Sequence, residues 1–206
     1  MQFHCTRIKM CNKNMTLREM IRFSFNIFKA TQAASYLLSL NNDKLNYTKL
    51  IKLLFIADRR AIEKWNNVIT TDTHFIMDCG QVGTNVYNEI KNENELKSDD
   101  YWHQFIEKDY FAVRLVKNPG TDLLSKREMD ELASVDREFK KYSYGRMIDY
   151  CHNHFSEWHD PKGCSEYLPT ETIIEHIYKN AKDKENALEN LSLAAKSQNS
   201  RSALFL

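Results

Sequence analysis

The sequence predicts an α+β fold, predominantly α-helical, in which a helical core carries a small antiparallel sheet of about three short strands. Three observations lead there. Only 5 Gly and 3 Pro occur in 206 residues, too few turn formers for a many-stranded sandwich. Apolar residues recur at helical spacing over long stretches. The segment Thr70–Met77 breaks that period with a short run of β-branched and aromatic residues, the composition of a strand.

Residues 1–24 read as a basic N-terminal extension, with Arg7, Lys9, Lys13, Arg18 and Arg22 against Glu19. A helix is predicted over Asn26–Leu40, where Ile27, Ala30, Ala34, Leu37 and Leu38 share a face, and Asn41-Asn42-Asp43 ends it. The clearest helix runs from an Asn46 N-cap to Trp65. Tyr47, Leu50, Ile51, Leu54, Ala61, Ile62 and Trp65 form its apolar stripe, and Lys49, Lys52, Arg59 and Glu63 are expected on its outer face. Asp58 falls on the stripe. A carboxylate there requires an internal hydrogen bond or ion pair, the favoured reading, or else a partner.

Beyond the Thr70–Met77 strand, Gly80 and Gly83 read as a turn, and Thr84–Ile90 as a short helix with Val86, Tyr87 and Ile90 inward. The segment Asn85–Asp109 is rich in acids, and Asn92–Asp100 within it reads as a polar loop. His103–Glu107 and Tyr110–Lys117 read as a hairpin about Lys108-Asp109. Ser125 and Glu128 have capping-box spacing, with a Leu124–Met129 staple, and open a helix to about Lys141. Helices are also expected over Tyr144–His154, from Pro169-Thr170-Glu171, and over Lys182–Lys196, followed by a loose tail. The chain thus divides into the extension 1–24, one domain over 25–180, and a C-terminal helix and tail over 181–206.

The formal net charge of +1 gives no global attraction to nucleic acid or an anionic membrane. No apolar run approaches the roughly 18–20 residues of a membrane span. The start of the chain has no apolar core of a secretory signal. Cys5, Cys11, Cys79, Cys151 and Cys164 are odd in number and irregularly spaced, as expected of reduced thiols in a cytoplasmic protein.

Phosphate loops, the HExxH motif and the GxSxG motif do not occur. Cys151-His152-Asn153-His154, with His159 and Cys164, contains zinc-type donors, but at no common zinc-site spacing; capping of a helix end is the favoured reading. Cys79 with His74 could form a thiol–imidazole pair, yet no third orienting group is evident, and a buried structural thiol is favoured. No metal or cofactor is expected.

A resemblance extends this reading. Phe28-Lys29-Ala30-Thr31-Gln32-Ala33-Ala34-Ser35-Tyr36-Leu37-Leu38 resembles the opening helix of Panacea (SocA-like) antitoxin domains. Asn46–Arg60 resembles that family's most distinctive helix, with its core K-L-hydrophobic-K-L-L-aromatic-hydrophobic-A-D-R. Trp65 and Ile69-Thr70-Thr71-Asp72 match the turn that follows. Gly80-Gln81-Val82 departs from the family's Gly-Pro-Val at the proline. Tyr87, Leu124-Ser125 and a C-terminal stretch ending in Glu157-Trp158 complete the series, with either His152 or His154 as the motif histidine. The similarity covers about residues 25–178. Its motif residues are Lys49, Lys52, Asp58, Arg59, Trp65, Thr70, Asp72, Gly80, Val82, Tyr87, His152 and Trp158.

The resemblance implies a non-catalytic antitoxin that silences a cognate toxin, encoded next door, by direct binding. A homodimer is a further possibility, while the net charge of +1 and the lack of a long apolar run argue against a nucleic-acid or membrane partner. The toxin class varies across the family and is not inherited. Competing readings are a phage or prophage accessory protein, a proteolytic adaptor, a DNA-binding autorepressor and a metal- or Cys-dependent enzyme. On charge alone, the candidate partner-binding residues are Lys49, Lys52 and Arg59 on one surface and Glu93, Glu95 and Asp99 on another, where charge would set on-rate and register.

Overall fold

The computed structural model describes residues 21–91 and 101–202. Among these residues the order is α1 (Ile27–Ser39), β1 (Lys44–Asn46), α2 (Tyr47–Trp65), β2 (His74–Met77), β3 (Gly80–Gly83), α3 (Thr84–Lys91), a 3-10 turn (Trp102–Gln104), β4 (Ile106–Asp109), β5 (Ala112–Leu115), α4 (Lys126–Glu138), α5 (Tyr144–His154), β6 (Glu166–Tyr167), α6 (Thr170–Ile177) and α7 (Ala181–Ser202). The fold is α+β and predominantly helical, as the periodicity indicates.

Helix α2 is the axle of the molecule. Asn46 caps it by accepting from the Lys49 N–H at 3.2 Å, and Asn66 ends it in a left-handed turn at φ 52°. It packs against α1, α3, α4, α5, α6, β1 and β3. Leu50, Leu53, Phe55, Ile56 and Ile62 are almost completely buried along it. A helix so enclosed keeps only a short solvent face, here Glu63, exposed as expected, and Lys64 near its C-terminal end. The expectation of a basic outer face is therefore corrected: Lys49 and Lys52 are buried, and Arg59 is largely covered.

Local signals fixed the neighbouring helices. The Asn26 side chain accepts from the Lys29 N–H at 3.0 Å and starts α1. Ser125 and Glu128 form the expected capping box of α4. Met147 and Cys151 turn α5 inward.

The strands form two three-stranded antiparallel sheets, ordered β1-β5-β4 and β3-β2-β6, where the sequence suggested one. Gly80–Gly83, read as a turn, is a strand paired with β2, and the reversal falls at Asp78–Cys79. Small residues suit this strand because its surroundings are tight. A Cβ at Gly83 would lie 2.8 Å from Asp72 Cγ, and one at Gly80 would lie 2.9 Å from Lys52 Nζ. The second hairpin is also shifted. Asp109 pairs with Ala112, so Tyr110-Phe111 is the turn and Lys108-Asp109 belongs to β4.

The tail expected after Lys196 is helical to Ser202, which corrects the loose reading of residues 197–202. Asn199 closes on the other end of the described chain. Its Oδ1 accepts from the Ser24 N–H at 2.8 Å, and its Nδ2 donates to the Arg22 carbonyl at 2.9 Å. Ile21 N–H donates to Glu171 of α6 at 2.6 Å. Arg7, Lys9, Lys13 and Arg18 of the extension lie outside the described residues.

Candidate functional site

The distinctive residues of α2 point in different directions, and each meets a different element. Lys49 Nζ donates to the carbonyls of Lys140 and Tyr142, at 3.0 and 2.9 Å, just past the end of α4. A cation suits that position, where helix carbonyls run out of backbone partners. Burial pushes the Lys49 ammonium below its ordinary range, with Lys140 adding to the effect and Asp136 opposing it. One turn on, Lys52 is 0% exposed, and its Nζ donates to the Gln81 carbonyl in β3 at 2.6 Å.

Asp58 is also 0% exposed. Its Oδ1 accepts from the N–H groups of Ile69 and Thr70, at 2.7 and 2.9 Å, and its Oδ2 from the Thr70 hydroxyl. His74 Nε2 stands 3.5 Å from the same Oδ2. Burial pushes this carboxyl up, but the His74 and Thr70 interactions outweigh it and leave it below the usual range. Asp58 thus ties the loop after α2 to β2 and finds its partners inside the chain. Arg59 Nε donates to Glu157 at 2.7 Å, and its guanidinium lies 4.5 Å from the centre of the Phe155 ring. Glu157 is buried, so this ion pair fastens the stretch after α5 to α2.

The other motif residues extend the same frame. Asp72 accepts from Asn85 and Val86 N–H, at 2.9 and 3.0 Å, and so caps α3 from a distance. Burial pushes the Asp72 carboxyl up, against the pull of His74 and these N–H donors. Val82 and Tyr87 are buried. Trp65 is half-buried under the Arg127 guanidinium, 4.5 Å from its ring. His152 stacks on Trp158 at 3.7 Å between ring centres, and its ring reaches within 3.4 Å of where a Gly80 Cβ would be. Trp158 Nε1 donates to the Met77 carbonyl at 3.3 Å, closing α5 onto the β2–β3 hairpin. His154 instead stacks on Tyr150 at 4.1 Å, on the exposed side. Of the two candidates, His152 is the histidine joined to the tryptophan.

The suspected chemical clusters separate. Cys151 is fully buried, and burial pushes its thiol up to about 11, the reverse of an activated nucleophile. His159 is engaged with Glu166 at 3.0 Å, while His152 stacks on Trp158. Among the described residues, no group of three or more His, Cys, Asp or Glu side chains could hold a metal ion. His74 starts β2 while Cys79 sits in the turn beyond its far end, so the strand holds them apart by about 10 Å or more. Cys164 is disulfide-bonded, which corrects the expectation that all the cysteines are reduced.

The acidic candidates Glu93, Glu95 and Asp99 lie outside the described residues. What the sequence missed entirely is the β4–β5 turn. Tyr110 and Phe111 are 88% and 65% exposed there, but both were assigned to the strand. Turn propensity gives no signal for two aromatics in this position. Only the register reveals it.

The family model described as Antitoxin SocA-like, Panacea domain, matches residues 50–159. Among curated proteins and among solved structures, nothing matches the chain.

Proposed function

The chain belongs to the SocA-like antitoxin family of Panacea domains, and from that premise we propose that it is an antitoxin that neutralises a cognate toxin by direct protein–protein binding. The family match over residues 50–159 is the observation that carries this reading. The geometry supports it in a specific way. The polar motif residues are engaged with one another and with backbone groups, which makes a rigid frame. A binder that must hold its partner shut needs such a preorganised frame rather than an activated side chain. No described helix is long and apolar enough to cross a membrane.

The test is inducible co-expression with the protein encoded by the adjacent reading frame. The neighbour expressed alone arrests growth, and this chain restores it. Toxicity that persists when this chain is present and folded overturns the reading.

A further inference from the structure

The β4–β5 turn presents two aromatic rings to solvent rather than to the described core. Tyr110 and Phe111 are the most exposed large apolar side chains among the described residues. Two-residue hairpin turns favour Gly, Asn or Asp, because one or both positions take positive φ. Tyr110 holds φ 55°, a conformation disfavoured for a bulky residue. A turn that exposes its apolar rings and strains its backbone combines two departures from a merely structural loop.

The turn is also held still. The Phe111 carbonyl accepts from the Tyr47 N–H at 3.0 Å and from Asn46 Nδ2 at 2.9 Å, so the tip is anchored at the cap of α2. Beside it lies an open groove of about 420 Å3, lined by Lys44, Asn46, Asp109 and Ala112 together with the two aromatics. A partner's side chain can lie against this depression beside the two rings. The tip thus projects beside a shallow, open depression.

Charge on the flanks selects the kind of partner. Lys44 is paired with Asp109 at 2.5 Å, and Arg114 with Glu107. Four of the rim's charges are engaged in these two pairs, and with Lys108 the rim carries a net charge of only about +1, too little for the basic field that an anionic lipid surface or nucleic acid requires. A protein surface with an apolar centre and a polar, uncharged rim is the complement. Tyrosine in particular is enriched among residues that dominate such contacts.

We propose that Tyr110 and Phe111 are the aromatic anchor that enters an apolar pocket of the toxin, with the adjoining groove receiving a toxin side chain in return. This rests on the antitoxin reading above. Unlike the charged candidates, this anchor acts through burial of its rings, not through charge steering.

The test uses the full chain and the protein encoded by the adjacent reading frame, titrated by calorimetry. The variant is Tyr110→Gly with Phe111→Ser. Glycine accepts the positive φ, so the thermal midpoint is expected to be unchanged or higher. The expected result is an affinity loss of about thirtyfold or more, the scale of an interface hot spot. Leu193→Ala, at an exposed leucine of α7, serves as control and leaves affinity unchanged. If the wild-type chain binds and the folded double variant binds equally well, the anchor assignment is overturned while the antitoxin reading stands. If the wild-type chain itself does not bind, the antitoxin reading fails and the anchor with it. If the variant loses a dimer but keeps its affinity for the toxin, the turn serves a second copy, and the assignment is overturned.

Discussion

Asp58 shows how a single residue holds two elements together. Removing its carboxylate leaves the Ile69 and Thr70 N–H groups and the Thr70 hydroxyl without an acceptor in the interior. Asp58→Ala is expected to lower stability by about 3–5 kcal/mol, read from the denaturant midpoint at unchanged slope. The sequence made this residue legible as an anomaly, because a carboxylate on an apolar stripe must find a partner. It could not show which partner, since Thr70 and His74 reach it only after the chain has turned. His152 makes a second prediction at this scale. Burial pushes its imidazole below 6.5, and the nearby Lys52 ammonium adds to the shift, while Asp149 and Asp160 pull it back. The unfolded chain therefore takes up this proton first as pH falls. Its contribution to stability is complete above about pH 6.5 and is lost as pH drops from there toward the folded-state value. His152→Phe keeps an aromatic ring on Trp158 but cannot titrate. Its unfolding free energy is expected to fall less steeply than that of the wild type between about pH 7 and 5. Parallel curves would contradict this.

At the scale of elements, α2 is where pattern reading succeeded and failed together. Its limits, its cap and its apolar face were visible in the spacing. The positions of Lys49, Lys52 and Arg59 were not, because periodicity assigns charged residues to water unless the helix is enclosed. Each finds a carbonyl or a carboxylate on an element distant in sequence. Charge reversal at these positions therefore reports on folding, not on a partner surface. Lys52→Glu is expected to cost more than about 4 kcal/mol, with loss of native circular dichroism, since a carboxylate would face the Gln81 carbonyl in the interior. A folded, stable variant would restore the outer-face reading. The β2–β3 hairpin was misread for a related reason. Its glycines answer to close neighbours, Asp72 and Lys52, rather than to a turn. Gly83→Ala is expected to displace Asp72 from the start of α3 and cost about 1–3 kcal/mol in thermal or denaturant unfolding.

For the whole molecule, the proposed contact surface lies apart from the residues that make the internal frame. The family match spans residues 50–159, which hold most of the internal frame: α2 and many of the elements it ties down. The fold class and most helices could be read from spacing and caps. The division into two sheets could not, since it depends on β6 joining β2 and β1 joining β5, pairings between segments far apart in the chain. The partner surface was least legible of all. The frame holds the basic candidates Lys49, Lys52 and Arg59 inside and leaves the Tyr110-Phe111 turn outside. The central claim is that this frame exists to hold a toxin by direct contact. Titration of the purified chain with the protein of the adjacent reading frame tests it most directly. The expected result is saturable, stoichiometric binding that accompanies the rescue of growth. Rescue of growth with no measurable complex between the two folded proteins would contradict it.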